Sequence, residues 1–508
     1  MRFSRRAFCQ TGSAAVIAAA LPGQVALGRA TASSGTLPSR SVPSEVRAVK
    51  LSGAATSIEG AALKELAGSL EGQLLLAGDF GYDGARRIWN GMHERRPAAI
   101  VHARSTGDVA SAVTFARERE LLLAVKGGGH SWPGHSTADG ALMIDLSAMN
   151  DVTIDPGARR ARVGGGALLY DLDFGSARHG LAVTAGIVSH TGVGGLTLGG
   201  GYGRLGRKLG LTIDSLLAAE LVCADGRTRR VSAEENKDLF WAIRGGGGNF
   251  GVVTAFEFEL HEMSPDMYGG VIVWPLAAAR DVLNYYAEHS PKFSDEMFAG
   301  PGLTTGPDGS AVLAVDVCYC GKPRDAEREL APMRAVARPV VDGAAATSYL
   351  TMQTRLDGIA RPGIRSYIKS GMVRAFTPAL IDTMLESFQP GQGIAINSFA
   401  CGGRIAQVDE SATAWPHRNA HAMVAAVAFW PDAGLDSARI GAIRSVWSRL
   451  EPHVGGYYAN IQGDEVEVPG NYGPVYERLV AIKKAHDPMN LFRLNSNIRP
   501  GSGDRAAG

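Results

Sequence analysis

The sequence contains few cysteines, and those present do not form a metal-binding pattern. Five occur in 508 residues, and the four beyond the amino-terminal segment, Cys223, Cys318, Cys320 and Cys401, lack the spacing of a metal site. Cys318 and Cys320 lie two residues apart in the apolar run 312–320, so their thiols would share one face of a buried strand. We therefore expect buried free thiols, with neither a disulfide between these two nor a metal site.

The sequence also lacks an excess of charge of one sign. Lysine and arginine total 51 against 50 for aspartate and glutamate, and the resulting net charge of +1 offers no field for a nucleic-acid backbone. Hydrophobic residues make up 45% and charged residues 20%, a mixture typical of globular proteins. Because 508 residues far exceed the roughly 150 of one compact domain, we expect a soluble protein with at least two cores and no nucleic-acid partner.

The amino-terminal segment has the features of an export signal. Arg5 and Arg6 precede an apolar run at residues 14–21, too short for a permanent membrane anchor, and small residues follow. This order is typical of a twin-arginine signal peptide, assigned to residues 1–30, and the Ser- and Pro-rich stretch after it predicts a disordered linker at 31–50. The expected location is periplasmic or extracellular, with no membrane anchor once the signal is removed.

Glycine is abundant, and its distribution indicates a ligand site. Many of the 65 glycines fall in five blocks, at residues 127–129, 164–166, 192–195, 199–203 and 245–248. Glycine in a strand costs backbone entropy. A close approach of the backbone to a ligand is one reason for glycine to be present despite that cost. The block after Lys126 follows an apolar strand at 121–125, where its amides can form a nest for a diphosphate; flexible turns are the alternative. Gly201-x-Gly203-x-x-Gly206 matches a dinucleotide-binding pattern, but it does not join a strand to a helix, and we reject that interpretation.

The hydrophobic pattern predicts two α+β parts and a terminal helix. Short strands and a helix capped by Ser105 or Thr106 begin the first part, and longer alternating strands with helices fill the second, from about residue 267 to 453. The final helix is predicted to end at Asp487-Pro488. Predicted strands lie at 98–101, 121–125, 159–163, 252–260, 271–274, 312–320 and 422–430, and predicted helices at 106–120, 277–288, 378–388 and 476–486.

Several ordered motifs resemble those of the berberine bridge enzyme-like FAD-linked oxidases. The similarity covers nearly all of the chain beyond the signal. The motifs are Gly127-Gly128-Gly129-His130-Ser131-Trp132-x-Gly134, Gly194-Gly195-x-x-x-Gly199-Gly200-Gly201-Tyr202-Gly203, the run from Asp238 to Gly251, Gly402-Gly403-Arg404 followed by Thr413-Ala414-Trp415-Pro416-His417-Arg418, and the tail from Tyr476 to Pro500.

The resemblance implies an α+β fold of the vanillyl-alcohol-oxidase type. In that fold a PCMH-type FAD-binding domain of two α+β subdomains, here residues 51–264, precedes an α+β substrate-binding domain, here residues 265–453. The antiparallel sheet of the second domain covers the flavin. A C-terminal berberine-bridge-like segment at 454–500 returns to complete the FAD site, and residues 501–508 are expected to form a disordered tail.

The resemblance also implies FAD that is covalently attached at one point. His130 matches the histidine that the family joins to the 8α-methyl carbon of the flavin, and a neutral imidazole is a competent nucleophile; His135 is the alternative. Val188 stands where many members carry a second attaching cysteine, so a single bond is expected, and His190 either touches the flavin or is a turn residue. The residues expected to bind FAD are Lys126, Gly127, Gly128, Gly129, His130, Ser131, Val188, Ser189, His190, Gly194, Gly195, Gly199, Gly200, Gly201, Gly251, Val253, Asn495 and Asn497, the last two at the polar edge of the ring.

The family's reaction passes a hydride from a substrate C–H bond to flavin N5 while a protein base takes a proton. The family's acidic position falls on Gln407, which cannot accept that proton and is expected to orient a substrate oxygen instead. Tyr458, in the family's Tyr-x-Asn motif, is the expected base, with a pKa lowered by the flavin and by Arg or Lys neighbours; aromatic packing is the alternative. Trp132 and Tyr202 are expected to line the substrate pocket.

The resulting interpretation is an exported flavoprotein oxidase. It would oxidise an alcohol, sugar, hydroxylated ring or amine carbon of a small molecule and return the electrons to O2 as hydrogen peroxide. Two other hypotheses stay open: a dehydrogenase or cyclising enzyme of specialised metabolism, which differs in its electron acceptor, and a secreted flavin-binding protein without activity, which the missing carboxylate at Gln407 favours. His417 and Arg418 are assigned to the substrate-domain sheet as structural residues, and no oligomeric state is indicated.

Overall fold

The computed structural model describes residues 42–264, 266–462 and 467–501. The predicted signal peptide and the chain beyond residue 501 lie outside the described residues. The predicted linker is wrong at its end, because strand β1, Glu45–Val49, pairs antiparallel with β2, Ala55–Glu59. Ala48 of β1 and Ile58 of β2 are buried in the same core, a packing that the polar composition of the preceding stretch concealed.

The first α+β unit follows β2. It contains α1 Gly60–Gly68, β3 Gln73–Leu75, α2 Tyr82–Ala85, β4 Ala99–His102, α3 Thr106–Glu118, β5 Leu123–Lys126 and β6 Leu142–Asp145. Its four-stranded sheet has the order β3-β4-β6-β5, in which the last three strands are parallel. Ser105 caps α3 through a capping box with Asp108, and an apolar stripe that includes Val109 and Val113 packs on the sheet. The glycine block at 127–129 therefore begins at the carboxyl end of β5.

The second α+β unit is built on an antiparallel sheet. It contains β7 Val152–Asp155, β8 Arg160–Gly164, α4 Leu169–Ala177, β9 Leu181–Ala182, α5 Val193–Leu198, α6 Gly206–Leu209, β10 Leu216–Val222, β11 Thr228–Ser232, α7 Lys237–Ile243, β12 Val252–Glu259 and β13 His261–Glu262. Five strands have the order β11-β10-β12-β8-β7, and β9 pairs with β13. The rejected dinucleotide pattern at 201–206 runs from the loop after α5 into α6, so it does not join a strand to a helix.

The third unit has the largest sheet. It contains β14 Met267–Pro275, α8 Ala279–His289, β15 Met297–Thr305, β16 Ala311–Tyr319, α9 Pro323–Val336, β17 Val341–Asp342, β18 Ala345–Thr347, α10 Tyr349–Thr354, β19 Arg365–Val373, α11 Pro378–Ser387, β20 Ile394–Ala400, α12 Arg404–Gln407, β21 Ala422–Trp430 and α13 Asp436–Leu450. The eight-stranded antiparallel sheet has the order β17-β14-β16-β15-β20-β21-β19, with β18 also against β14. Helices α8, α9, α11 and α13 pack on one face, around Trp274 and Trp447. The opposite face of the sheet remains for the first and second α+β units.

The C-terminal segment returns to the second unit through α14, Val468–Tyr472, and α15, Tyr476–His486. Lys483 of α15 is fully buried, donates to the carbonyls of Asn249 and Phe492 at 2.7 and 2.9 Å, and pairs with Asp487 at 2.7 Å. These bonds fix the end of the chain against the loop before β12.

The α+β architecture and most predicted elements are confirmed. The terminal helix and strand β21 have the predicted bounds, and β16 differs from its prediction by one residue at each end. The four described cysteines are buried and free, as expected. Among the described residues, no helix is long and apolar enough to cross a membrane.

Asp173 of α4 predicts a pH-dependent stability. Its side chain is buried and accepts a hydrogen bond from Gln353 Nε2 of α10 at 3.0 Å. Burial raises the pKa of Asp173 from 3.8 to about 7. Below the unfolded pKa of Asp173 its carboxyl is neutral in both states and does not lower the free energy of unfolding. As pH rises above that value, the unfolded state ionises more easily than the folded state, so the free energy of unfolding falls until the pH exceeds about 7. We expect Asp173→Asn to stabilise the protein more at pH 8 than at pH 5 in thermal unfolding; an equal change at both values would contradict this.

Candidate active site

A deep and mostly apolar cavity lies where the first and second α+β units meet the free face of the eight-stranded sheet. Alternate residues of β15, at 298, 300, 302 and 304, face the cavity, as the two-residue period of a strand requires. Two of these are glycine, so that part of the wall is flat. The other walls come from residues 127–133 of the first unit, 186–188, 194–196 and 247–253 of the second, 423, 427 and 429 of β21, and 458–461 and 492–496 of the C-terminal segment.

Two glycine loops touch each other at the FAD side of the cavity. A Cβ placed on Gly128 would lie 2.4 Å from both the Cα and the nitrogen of Gly192, closer than real Cβ contacts. Gly129 has a φ of +67°, in the left-handed region that favours glycine. The backbones of both loops can therefore approach a ligand with no side chain between them, as a diphosphate site requires.

Gly128→Ala is expected to abolish or strongly reduce FAD loading. The added methyl group would force the two loops apart by more than a side-chain adjustment can absorb, because the atoms it meets belong to the backbone. The ratio of flavin absorbance to protein absorbance in the purified protein measures the effect. Gly441→Ala is the matched control, since Gly441 is exposed on α13 with no atom within 4 Å of its added Cβ. Equal loading of the two variants would contradict a role for the loop contact.

His130 lines the cavity and has a fixed ring. Trp89 stacks on it with ring centroids 4.4 Å apart and planes 14° apart, and Trp89 Nε1 donates to the Ala360 carbonyl at 2.5 Å. Burial, followed by the neighbouring His190, lowers the pKa of His130 to about 3. The imidazole is therefore neutral at neutral pH, the state in which it is a nucleophile. Trp89 was not predicted from the sequence, because it lies far from the glycine motif in the chain.

The loop at 188–190 reaches the cavity only with its first residue. Val188 lines the wall, whereas Ser189 donates through its backbone N–H and Oγ to the carboxylate of Asp357 at 2.9 and 2.6 Å. His190 Nδ1 lies 3.0 Å from His130 Nε2. Ser189 and His190 therefore contact protein groups and do not line the cavity, an arrangement that favours the turn-residue alternative for His190.

Lys126 was expected to bind FAD, and the structure places its amine elsewhere. Parallel pairing of β5 and β6 sets Lys126 opposite Asp145, and Nζ lies 3.0 Å from Asp145 Oδ2. Nζ also donates to the carbonyl of Ala85. Both groups are buried, so the charge of Lys126 is satisfied within the protein, and the predicted contact with FAD would use the Lys126 backbone.

The glycine block at 199–201, which was expected to bind FAD, packs against protein side chains. A Cβ on Gly199 would lie 2.0 Å from the side chain of Asn460, and a Cβ on Gly201 would lie 2.1 Å from that of Thr212. Gly200 likewise has no room, because the Trp415 ring lies 2.8 Å from the position that a Cβ would take. This close approach brings the Gly201 N–H to 3.1 Å from the hydroxyl of Tyr458, to which it donates.

Tyr458 is buried at the cavity wall, with its oxygen held by amides. The hydroxyl oxygen accepts bonds from the Gly201 N–H at 3.1 Å and from Asn460 Nδ2 at 3.0 Å. Burial raises the pKa of Tyr458 to about 12, and the two amide donors oppose that rise. The Arg or Lys neighbours expected to lower this pKa are replaced by neutral amides. Because both amides donate to the oxygen, they favour the negatively charged phenolate form of Tyr458.

Gln407 lies outside the cavity, which corrects its predicted role. It ends the short helix α12, is exposed, and its Nε2 donates to Asp295 Oδ2 at 3.4 Å. Among the described residues, Asp316 is the one carboxylate that lines the cavity. Arg204 and Arg355 both pair with it. Burial acts to raise the pKa of Asp316, but the two guanidinium groups outweigh it and lower the pKa. Asp316 is therefore a paired anion and a weak base.

Aromatic side chains dominate the substrate side of the cavity. Trp132 is half-buried, with ring centroids 4.9 Å from Trp89 and 6.0 Å from Phe429. Tyr202 presents its ring to the cavity, but its hydroxyl donates to the carbonyl of Ala400 at 2.6 Å and is not free for substrate. Both predicted residues thus lie at the cavity as apolar surfaces.

The polar end of the cavity fits a flavin. The Oδ1 atoms of Asn495 and Asn497 are buried and have no hydrogen-bond partner in the protein. Asn495 lines the cavity together with Ser496, which lies in the same C-terminal motif but was not among the expected FAD residues. A buried acceptor without a donor is costly, and the isoalloxazine edge carries an N–H that supplies one. Of the other predicted FAD residues, Gly127–Gly129, Ser131, Gly194, Gly195, Gly251 and Val253 also line the cavity.

His417 and Arg418 make structural contacts away from the cavity. His417 Nε2 lies 2.7 Å from the carbonyl of Tyr457, and Arg418 forms a buried ion pair with Asp214 at 2.7 Å. Within residues 42–501, apart from the five positions that the structure does not describe, no group of three or more His, Cys, Asp or Glu side chains is arranged to hold a metal ion.

Comparisons with known proteins agree with this site. A family model described as FAD binding domain matches residues 97–232, and one described as berberine and berberine-like matches residues 458–499. The chain is 34% identical to (R)-6-hydroxynicotine oxidase of Paenarthrobacter nicotinovorans, covering 85% of this chain and 97% of that protein. It is 31% identical to an FAD-linked oxidoreductase of Dictyostelium discoideum, covering 86% and 97%. The structure of Physcomitrella patens BBE-like 1 superposes with a TM-score of 0.79 at 25% identity, covering 88% and 100%.

The family matches fall on the structural parts that form the cavity. The first covers β4 to β11, which carry the loops of His130 and Gly192, and the second covers the segment from Tyr458 to the asparagines at 495 and 497. The chain therefore belongs to the berberine bridge enzyme-like family of FAD-linked oxidoreductases.

Proposed function

We propose that the protein is an oxidase that carries FAD on His130 and oxidises a small, uncharged, largely apolar substrate with Tyr458 as the base. The position of Tyr458 carries the proposal: a buried phenol at the cavity wall whose oxygen accepts two amide hydrogen bonds. The identity of 34% with (R)-6-hydroxynicotine oxidase supports an oxidase over a dehydrogenase. Hydrogen peroxide would be the second product.

The phenolate form of Tyr458 would take the proton of the substrate hydroxyl or amine. FAD held in the cavity would supply the acceptor for the hydride and the route for two electrons to O2. The Gly201 N–H and the Asn460 amide stabilise the negative charge that the phenolate carries before the proton transfer, without having to move. Asp316 stays ionised because it pairs with Arg204 and Arg355. We therefore assign the substrate proton to Tyr458 and not to this carboxylate.

The lining indicates the class of substrate. Trp132, Phe399 and Phe429 offer ring faces, and the charge of Asp316 is already neutralised, so a charged substrate would be desolvated without a partner. An alcohol, a hydroxylated ring or an amine in its neutral form fits this surface. Polyhydroxylated sugars fit less well, because the lining of the cavity is mostly apolar.

An anaerobic reduction experiment tests the proposal. Aromatic and aliphatic alcohols, neutral cyclic amines and sugars are added to the purified yellow protein without oxygen, and the loss of the flavin absorbance is followed. The sample with a compound that bleaches the flavin is then mixed with air. Return of the absorbance within seconds with release of peroxide is the expected result, whereas reduced flavin that persists for minutes would assign a dehydrogenase.

A further inference from the structure

The hydrogen bond between His130 and His190 can be drawn with the proton on either ring, and the choice decides the chemistry of His130. The bond joins His130 Nε2 and His190 Nδ1 at 3.0 Å. If His190 donates, His130 keeps its own proton on Nδ1, which then has no lone pair for attack. If His130 Nε2 donates, His130 Nδ1 holds a free lone pair.

Both rings are neutral, and the His130 ring is held against rotation. One of the two proton arrangements must therefore hold. Burial lowers the pKa of His130 to about 3 and also lowers the pKa of His190, so a doubly protonated ring does not replace the neutral pair. The stack of Trp89 on His130 opposes rotation of the ring. Trp89 itself is fixed at two points, by its backbone N–H to the Gly129 carbonyl at 2.9 Å and by Nε1 to the Ala360 carbonyl.

His190 is held from behind by the substrate-domain loop after α10. Its neighbour Ser189 is bound to Asp357 by two hydrogen bonds, and the Ser189 carbonyl accepts from the Tyr170 N–H at 2.8 Å. The negative charge of Asp357 also acts on His190 and opposes the effect of burial, favouring a proton on that ring. Asp357 therefore offsets part of the effect of burial, while the pKa of His190 stays below its usual value.

We propose that His190 is a positioning residue for the covalent attachment of FAD: it accepts the Nε2 proton of His130 and thereby makes Nδ1 of His130 the atom that bonds to the flavin. This inference rests on the proposed attachment at His130. It adds a second histidine whose purpose is assembly of the enzyme and not turnover of the substrate, since His190 does not line the cavity.

The step balances with O2 as the oxidant. A C–N bond forms between His130 Nδ1 and the 8α carbon, one C–H bond of the 8α-methyl group breaks, and the proton on His130 Nε2 passes to His190. The two electrons of the broken C–H bond reduce the flavin. O2 takes up those two electrons and the two released protons, one from the methyl group and one from His130, and leaves as hydrogen peroxide.

The full chain with His190→Ala tests the role. The protein is incubated with FAD in air, samples are precipitated with acid over time, and flavin fluorescence of the denatured protein on a gel reports covalent attachment. We expect FAD to bind but to attach about tenfold or more slowly than in the native protein, and added imidazole to restore the rate. His179→Ala, which changes an exposed histidine after α4, is expected to attach FAD at the native rate.

A second variant covers the case in which His190→Ala binds no FAD. His190→Asn keeps a hydrogen-bonding side chain next to His130 but cannot carry a proton away, so slow attachment is again expected. Attachment at the native rate in either variant overturns the proposal, as does His190→Ala that binds FAD but does not respond to imidazole. Native protein whose FAD is entirely released by acid would instead overturn the attachment at His130 itself.

Discussion

Tyr458→Phe is expected to slow reduction of the flavin by substrate about 10²- to 10⁴-fold, the usual contribution of a general base. The ring of Tyr458 packs in a buried cluster with Met372 and Met423, and phenylalanine preserves that packing while removing the oxygen. The amides of Gly201 and Asn460 would then have no phenolate charge to stabilise. Anaerobic stopped-flow measurement of flavin bleaching gives the rate.

The adjacent tyrosine provides the control for this experiment. Tyr457 is only half-buried, and its hydroxyl donates to Glu451 Oε1 at 2.9 Å, at an exposed site away from the cavity. Tyr457→Phe is expected to reduce its flavin within about twofold of the native rate, since it lies outside the catalytic contacts. A native rate in Tyr458→Phe, or an equal loss in both variants, would remove Tyr458 as the base.

His130→Ala is expected to release all of the flavin when the protein is precipitated with acid. Native protein should keep its yellow colour in the pellet, because the C–N bond survives denaturation, whereas the variant holds FAD only by contacts that denaturation destroys. Absorbance of the supernatant and the mass of the intact protein measure the difference. His135 also lines the cavity, and His135→Ala separates the alternatives. Colour retained by His130→Ala and lost by His135→Ala would place the attachment on His135.

The elements that could be predicted from the sequence are those with local signals. The terminal helix ends where predicted because Asp487-Pro488 cannot continue it, and β21 matches because its apolar run is bounded by polar residues. Helix α3 begins at the expected cap, Ser105. Strand β1 was missed because its burial depends on pairing with β2, which the composition of the stretch before it does not indicate.

The predicted glycine blocks fall into two groups, one that reaches the cavity and one that packs against the protein. The blocks at 127–129 and 192–195 reach the cavity, but the block at 199–201 makes room for Asn460, Trp415 and Thr212, and the sequence does not distinguish the two uses. Gln407 was misplaced because a short helix turns its side chain outward. Trp89 could not be found, since only the folded chain brings it onto His130.

The C-terminal segment sets the order in which the holoprotein can be assembled. Residues 492–496 form part of the cavity wall, and Lys483 ties them to the loop before β12. During synthesis, residues 492–496 leave the ribosome after the three preceding units have emerged and begun to fold. We therefore expect capture of FAD to await these residues during translation, and chains that end before residue 492 to bind little flavin.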